Sequence, residues 1–131
     1  MITISAKTGQ GKTNTLIKMA LANRMIDGKP IVFLNNDTTP KAFCDRVMEI
    51  AESLEPDEEK NDILIEGIFI SNGSIESMKL LNSTPALKLE QTFNLYIDVV
   101  GVELEGMEYE FLRNRANSTY RTLQLPVSSD D

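Results

Sequence analysis

Short apolar runs that alternate with stretches of helical periodicity constrain this chain more than any other feature of its sequence. Ile31-Val32-Phe33-Leu34 and Ile63-Leu64-Ile65-Glu66-Gly67-Ile68-Phe69-Ile70 have the length and β-branched content of strands buried on both faces. Ile2, Ile4 and Ala6 alternate with polar residues as a first strand. Phe93 to Asp98 reads as a fourth, and Thr119 to Leu125 as a last. Between the runs the period changes. Leu16, Ile17, Ala20, Leu21 and Met25 mark a helix that Gly28 closes, and Phe43, Val47, Ile50 and Leu54 mark a second, with Thr39 as N-cap and Pro40 at its first position. Asn72-Gly73-Ser74 supplies a turn and cap before Ile75, Met78 and Leu81, and a further helix is expected over Met107 to Ala116. The acidic stretch Glu55 to Asp62 has no apolar period and predicts a solvated loop. Strands that alternate with crossover helices give an α/β fold of three layers, a mainly parallel sheet of about five strands flanked by helices.

A chain of 131 residues with 41% apolar content suits one domain, placed at residues 1–127 with a polar tail at 128–131. No apolar run reaches the ~18 residues needed to span a bilayer, and Met1 leads directly into a strand, so no membrane association and a cytoplasmic location are expected. Cys44 is the single cysteine and there is no histidine, which excludes disulfide scaffolds, Cys/His zinc sites and any imidazole base. Without an activating imidazole Cys44 reads as a small packing residue, Met19, Met25, Met48 and Met78 as core, and Tyr96 and Tyr109 as internally packed rings. The net charge of -7 argues against direct binding of nucleic acid by the monomer, because that affinity rests on neutralising phosphates.

Ala6-Lys7-Thr8-Gly9-Gln10-Gly11-Lys12-Thr13, followed by Asn14, lies between the first strand and the first helix. Glycines at 9 and 11 let a backbone curl so that its N–H groups face an anion at the positive end of a helix. Lys12 would reach the outer phosphates of a nucleoside triphosphate such as ATP, and the Thr13 hydroxyl would take one position on Mg2+. The segment fits G-x-x-x-x-G-K-[ST] except at its first place, where Ala6 stands for glycine. Asp98 ends an apolar strand, the place where a carboxylate can hold a magnesium-bound water.

On these residues, with Gly28 to Leu34 and Thr39 to Arg46, the chain resembles the nucleotide-binding core of RecA-like P-loop ATPases, particularly the DnaB-type replicative helicases. The resemblance implies a P-loop NTPase fold, ATP and Mg2+ as ligands, and a general base at Asp37, where the family carries a glutamate. Aspartate is one methylene shorter, which implies slow hydrolysis; Asp37 also reads as an ordinary turn residue. The resemblance further implies a γ-phosphate sensor near Gln124, rings in which an arginine completes a neighbour's site (Arg113, Arg115 and Arg121 are the candidates), and action as a homo-oligomer or on a larger ATPase or helicase. The family's extra domain and further strands are not in this sequence, so strand separation by this chain alone is not expected. A non-catalytic interaction protein that regulates a partner ATPase is the alternative from another class. Lys7 also matches the signature lysine of ParA/MinD-type dimeric ATPases, although Thr8 breaks their pattern. A small-molecule kinase lacks a recognisable lid.

Overall fold

The computed structural model describes residues 1–6, 11–87 and 91–124. Five strands, β1 (Ile2–Ala6), β2 (Ile31–Asn35), β3 (Ile68–Ser71), β4 (Asn94–Asp98) and β5 (Ser118–Gln124), form one sheet in the order β1-β5-β4-β2-β3. Every pairing in it is parallel. Consequently all five strands end at the same edge, and Ala6, Asn35, Asp98 and Gln124 share it. The connection after β2 runs outward to β3, whereas β4 leads the other way to β5, so the strand order reverses between β2 and β4, the kind of point at whose carboxyl edge such sheets bind ligands.

Period two along the strands divides the side chains between two cores. On one face Ile31, Phe33 and Tyr96 meet Leu16, Ile17, Ala20 and Leu21 of α1 (Lys12–Asp27), Phe43, Val47 and Ala51 of α2 (Pro40–Leu54), and Leu64 of α3 (Glu58–Glu66). On the other, Val32, Leu34, Leu95 and Ile97 meet Met78 and Leu81 of α4 (Ile75–Asn82) and Tyr109 and Leu112 of α5 (Met107–Arg115). The expected three-layer α/β architecture is therefore what the chain adopts. Local signals set the helix ends. The Thr39 hydroxyl accepts from the Ala42 N–H with Pro40 at the first helical position, Ser74 accepts from the Ser77 N–H, and Gly28 closes α1 in the left-handed conformation at φ 70°.

Three expectations are corrected. Only Glu55 to Asp57 of the acidic stretch lie outside a helix, and Ile63 to Glu66 is not strand: Glu58 to Asp62 and Ile63 to Glu66 together form α3, and β3 is only Ile68–Ser71. Asp57 caps that helix by accepting from the Lys60 N–H, and Glu58 and Glu59 lie where the helix dipole favours carboxylates, so the charges that suggested solvated coil instead start a helix. Cys44 is exposed, as are Met25 and Met48, because each falls on the outer side of its helix; of the four methionines only Met78 is fully buried.

Arg24 holds the far edge of the sheet together. Its Nε donates to the Leu64 carbonyl at 2.8 Å and its two terminal nitrogens to the Ile63 and Gly28 carbonyls at 2.8 and 3.0 Å, so one guanidinium satisfies the last carbonyls of α3 and ties them to the end of α1. The guanidinium lies against the Gly67 backbone, where a Cβ would come within 2.3 Å of the Arg24 Cζ. Gly67→Ala is expected to displace Arg24 and lose its bonds, at a cost of about 1–3 kcal/mol by urea denaturation. The double variant with Arg24→Ala should lose less than the sum of the two single losses, and strict additivity would refute the coupling.

An aromatic ladder joins four elements, α2, β2, β4 and β5, in the first core. Phe43 meets Phe33 edge-on with ring centres 5.2 Å apart, Phe33 lies 5.6 Å from Tyr96, and Tyr96 stacks on Tyr120 at 4.8 Å. The Tyr96 hydroxyl accepts from Asn23 at 3.0 Å. Burial raises its pKa from 10.0 to about 12. The folded chain therefore keeps a proton that the unfolded chain gives up, and the resulting stabilisation is complete below pH 10.0 and lost as the pH climbs to about 12. Denaturation series across that interval should show stability falling with pH in the wild type, with a shallower fall in Tyr96→Phe.

Candidate functional site

The site assembles at the shared edge of the sheet around Asp98. Its carboxylate is 4% exposed and accepts three hydrogen bonds: from the Thr13 hydroxyl to Oδ2 at 2.8 Å, from Asn35 Nδ2 to the same oxygen at 2.8 Å, and from the Thr122 hydroxyl to Oδ1 at 2.7 Å. A buried carboxylate needs such donors, since desolvation without them costs several kcal/mol or more. Each donor comes from a different element. Thr13 is the second residue of α1, Asn35 ends β2 in register with Asp98, and Thr122 lies on β5.

Thr13 lies 85 residues from Asp98 in the chain, and the sheet order brings the two together: β5 separates β1 from β4, and α1 crosses above. Gly11 caps α1 at φ 72° and ψ 24°, a left-handed conformation that disfavours any residue with a Cβ. Its carbonyl accepts from the Thr15 N–H at 3.0 Å. Among the described residues α1 is the helix with neither a side-chain cap nor an acidic residue in its first turn, whereas α2, α3 and α4 are capped by Thr39, Asp57 and Ser74 and α5 begins with Glu108 and Glu110. The first turn of α1 thus carries no capping side chain or acid of its own, and the carboxylate that approaches it is Asp98, through the Thr13 hydroxyl. Lys12 is half-buried at this end, and among the described residues it forms no ion pair.

Lys12, Thr13 and Asp98 are therefore gathered at one place, with Asn14 exposed on the same turn. Lys7, Thr8, Gly9 and Gln10 lie outside the described residues. Ala6 and Gln124 end β1 and β5 as register partners, which puts the backbone of Gln124 at the site edge. Asp37 is exposed in the bend after β2 and makes no hydrogen bond among the described residues. Arg113 is exposed on α5, and Arg121 lies on β5 beside Ile97. Arg115 is used internally: it packs over the rings of Phe93 and Phe111 at 5.4 and 5.2 Å and donates to the Leu87 carbonyl.

Sequence reasoning missed Asn35, Asn36 and Thr122. The available signal was an apolar run that ends in two amides rather than in a charge or glycine, and a threonine at the inward register of the last strand. The oxygen donors present suit a hard cation. No cluster of three carboxylate, thiol or imidazole groups able to hold a metal occurs among the described residues, so Mg2+ here would take the Thr13 hydroxyl from the chain, with Asp98 holding one of its waters, and its other ligands from phosphate and water.

These features define a parallel α/β domain with the P-loop, RecA-like fold. The solved structure described as the ATPase domain of G40P is similar to it, with a TM-score of 0.62 and 15% identity over 95% of this chain. This chain spans 57% of the length of that one. No family model matches the sequence, and no curated protein matches it. Among the described residues no helix is long and apolar enough to cross a membrane.

Asp98→Ala would leave the buried Asn35 amide and the Thr13 hydroxyl without their acceptor, and the Thr122 hydroxyl with only the longer contact to the Ile97 carbonyl at 3.4 Å. The expected loss is about 2–4 kcal/mol in denaturant titrations, and a loss below about 1 kcal/mol would show that the network contributes little to folding.

Proposed function

We propose that this chain binds ATP with Mg2+ at the edge formed by α1, β1 and β4, and hydrolyses it slowly. The observation that carries the reading is the 2.8 Å hydrogen bond from Thr13 to Asp98, directly after Lys12 at a helix start with no carboxylate of its own. Backbone N–H groups from Ala6 to Asn14 cradle the phosphates, and Lys12 contributes an ammonium to the outer two. The Thr13 hydroxyl keeps its lone pairs for the metal while it donates to Asp98, and Asp98 orients a metal-bound water. When bound, Mg2+ supplies positive charge against the β- and γ-phosphate oxygens. Asp37 positions the attacking water and accepts its proton, and Gln124 lies at the strand end suited to contact the γ-phosphate.

The sequence resemblance to DnaB-type helicases, with the likeness of fold to the ATPase domain of G40P, supports action with or on a partner in DNA replication or recombination, as a homo-oligomer or docked on a larger ATPase. Such assembly would let Arg113 or Arg121 serve a neighbouring subunit's site. The net charge of -7 speaks for a protein partner over direct nucleic-acid contact. A second reading, nucleotide binding without turnover, is favoured by one feature: the residue in register with Asp98 is the amide Asn35 rather than a carboxylate.

Titration of fluorescent ATP with and without Mg2+, combined with phosphate-release assays, tests both. Lys12→Ala should weaken binding by about 10- to 100-fold, the worth of one charge-assisted contact at ~1.4–3 kcal/mol. Absence of Mg2+-dependent binding in the wild type would defeat the proposal. Release that rises more steeply than protein concentration would point to a site shared between subunits. Loss of turnover in Lys7→Ala with nucleotide still bound would favour the ParA/MinD-type reading.

A further inference from the structure

The backbone ladder between β2 and β4 ends at the pair Asn35 and Asp98, and the next residue carries the contact one step beyond it. The Asn36 N–H donates to the Asp98 carbonyl at 3.4 Å, its Nδ2 donates to the Val100 carbonyl at 2.9 Å, and its Oδ1 accepts from the Val100 N–H at 2.8 Å. One side-chain amide thereby does for Val100 what a neighbouring strand would do, using both its donor and its acceptor. Asn35, on the other side of the same peptide, is 2% exposed; it donates to Asp98 Oδ2 at 2.8 Å and accepts from the Thr38 N–H and hydroxyl at 3.4 and 3.5 Å. Asp37 falls between these anchors, in a bend with no secondary structure of its own.

We propose that Asn36 is a positioning residue for ATP hydrolysis, one that fixes the backbone of Asp37 relative to Asp98. The inference rests on the nucleotide site described above and deepens it. An exposed aspartate has little reach, so the distance between its carboxylate and an attacking water depends on where the backbone holds it. A free bend would sample many positions. With Asn35 tied to Asp98 and Asn36 tied to Val100, the bend is referenced to the strand that carries the metal-site carboxylate. An apolar residue at position 36 could make neither bond, and an ionised aspartate there could accept from the Val100 N–H but not donate to its carbonyl.

The test compares binding of Mg2+-ATP with steady-state phosphate release in the wild type, Asn36→Ala, Asn36→Asp, Asp37→Asn and the double variant Asn36→Ala/Asp37→Asn. Asn36→Ala should leave Kd within about twofold and lower kcat by about tenfold or more, since misplacing a reacting group by about 1 Å costs on the order of 100-fold. Amide exchange at Val100 should quicken while Ile97 stays protected, which shows that the sheet is intact. Asn36→Asp, which keeps the acceptor and loses only the donor, should show a smaller fall in kcat and carries the test if the alanine variant does not fold. The double variant should be no slower than Asp37→Asn alone. Unchanged kcat in both Asn36 variants, or losses that multiply in the double variant, would overturn the proposal. A wild type that binds nucleotide but releases no phosphate would also overturn it while leaving the binding site standing; a wild type that binds no nucleotide would remove the site itself.

Discussion

A carboxylate taken out of water must find donors, and at the end of β4 they come from three directions. Thr13, Asn35 and Thr122 belong to α1, β2 and β5, elements far apart in the chain, and all three converge on Asp98 within 2.7–2.8 Å. That convergence is possible only because every strand runs the same way. In a sheet with mixed directions, the helix start after β1 and the last residue of β4 would not share an edge. The same constraint leaves β2 and β4 buried from end to end, which is why Ile31 to Leu34 and Leu95 to Ile97 are apolar without alternation.

The two ends of the sheet are held by different chemistry. At the site edge the bonds run between side chains and are centred on an acidic group. At the opposite edge the guanidinium of Arg24 collects the carbonyls of Ile63, Leu64 and Gly28, and Gly67 leaves room for it. Between them the aromatic series from Phe43 to Tyr120 fills the space beneath α1 and α2. The clamps at both ends and the packed rings between them hold the start of α1 and the Asp98 carboxylate at one edge. Charge placement agrees with this division, because the start of α1 carries no acid whereas α3, α4 and α5 all begin with glutamates.

Much of this was legible along the chain. Gly28, Thr39, Pro40 and Ser74 act through their own few neighbours, so their roles as helix boundaries could be read without a fold. The run Ala6 to Thr13 named its own context, a strand before and an amphipathic helix after, and α1 begins at Lys12 as that context requires. The segment from Glu58 to Glu66 was misread because the test was periodicity alone. Acidic residues at a helix start satisfy the dipole and not the apolar period, and Ile63 to Glu66 resemble strand until Leu64 is seen packing under α1 and α2. Cys44, Met25 and Met48 were placed inward by residue type, yet the rotation of each helix decides which side meets the sheet.

By itself the sequence determined the alternation of strand and helix and the caps, and it singled out the candidate residues from Ala6 to Asn14, since each depends on side chains within one or two turns of one another. The tertiary structure alone decided which of those residues meet. Strand order is a property of long-range pairing, so nothing near Asp98 in the chain reveals that Thr13 and Thr122 donate to it, or that Asn35 and Asn36 are the residues binding β2 to the end of β4. An amide's neighbours in space are set by the sheet, and no local pattern encodes them.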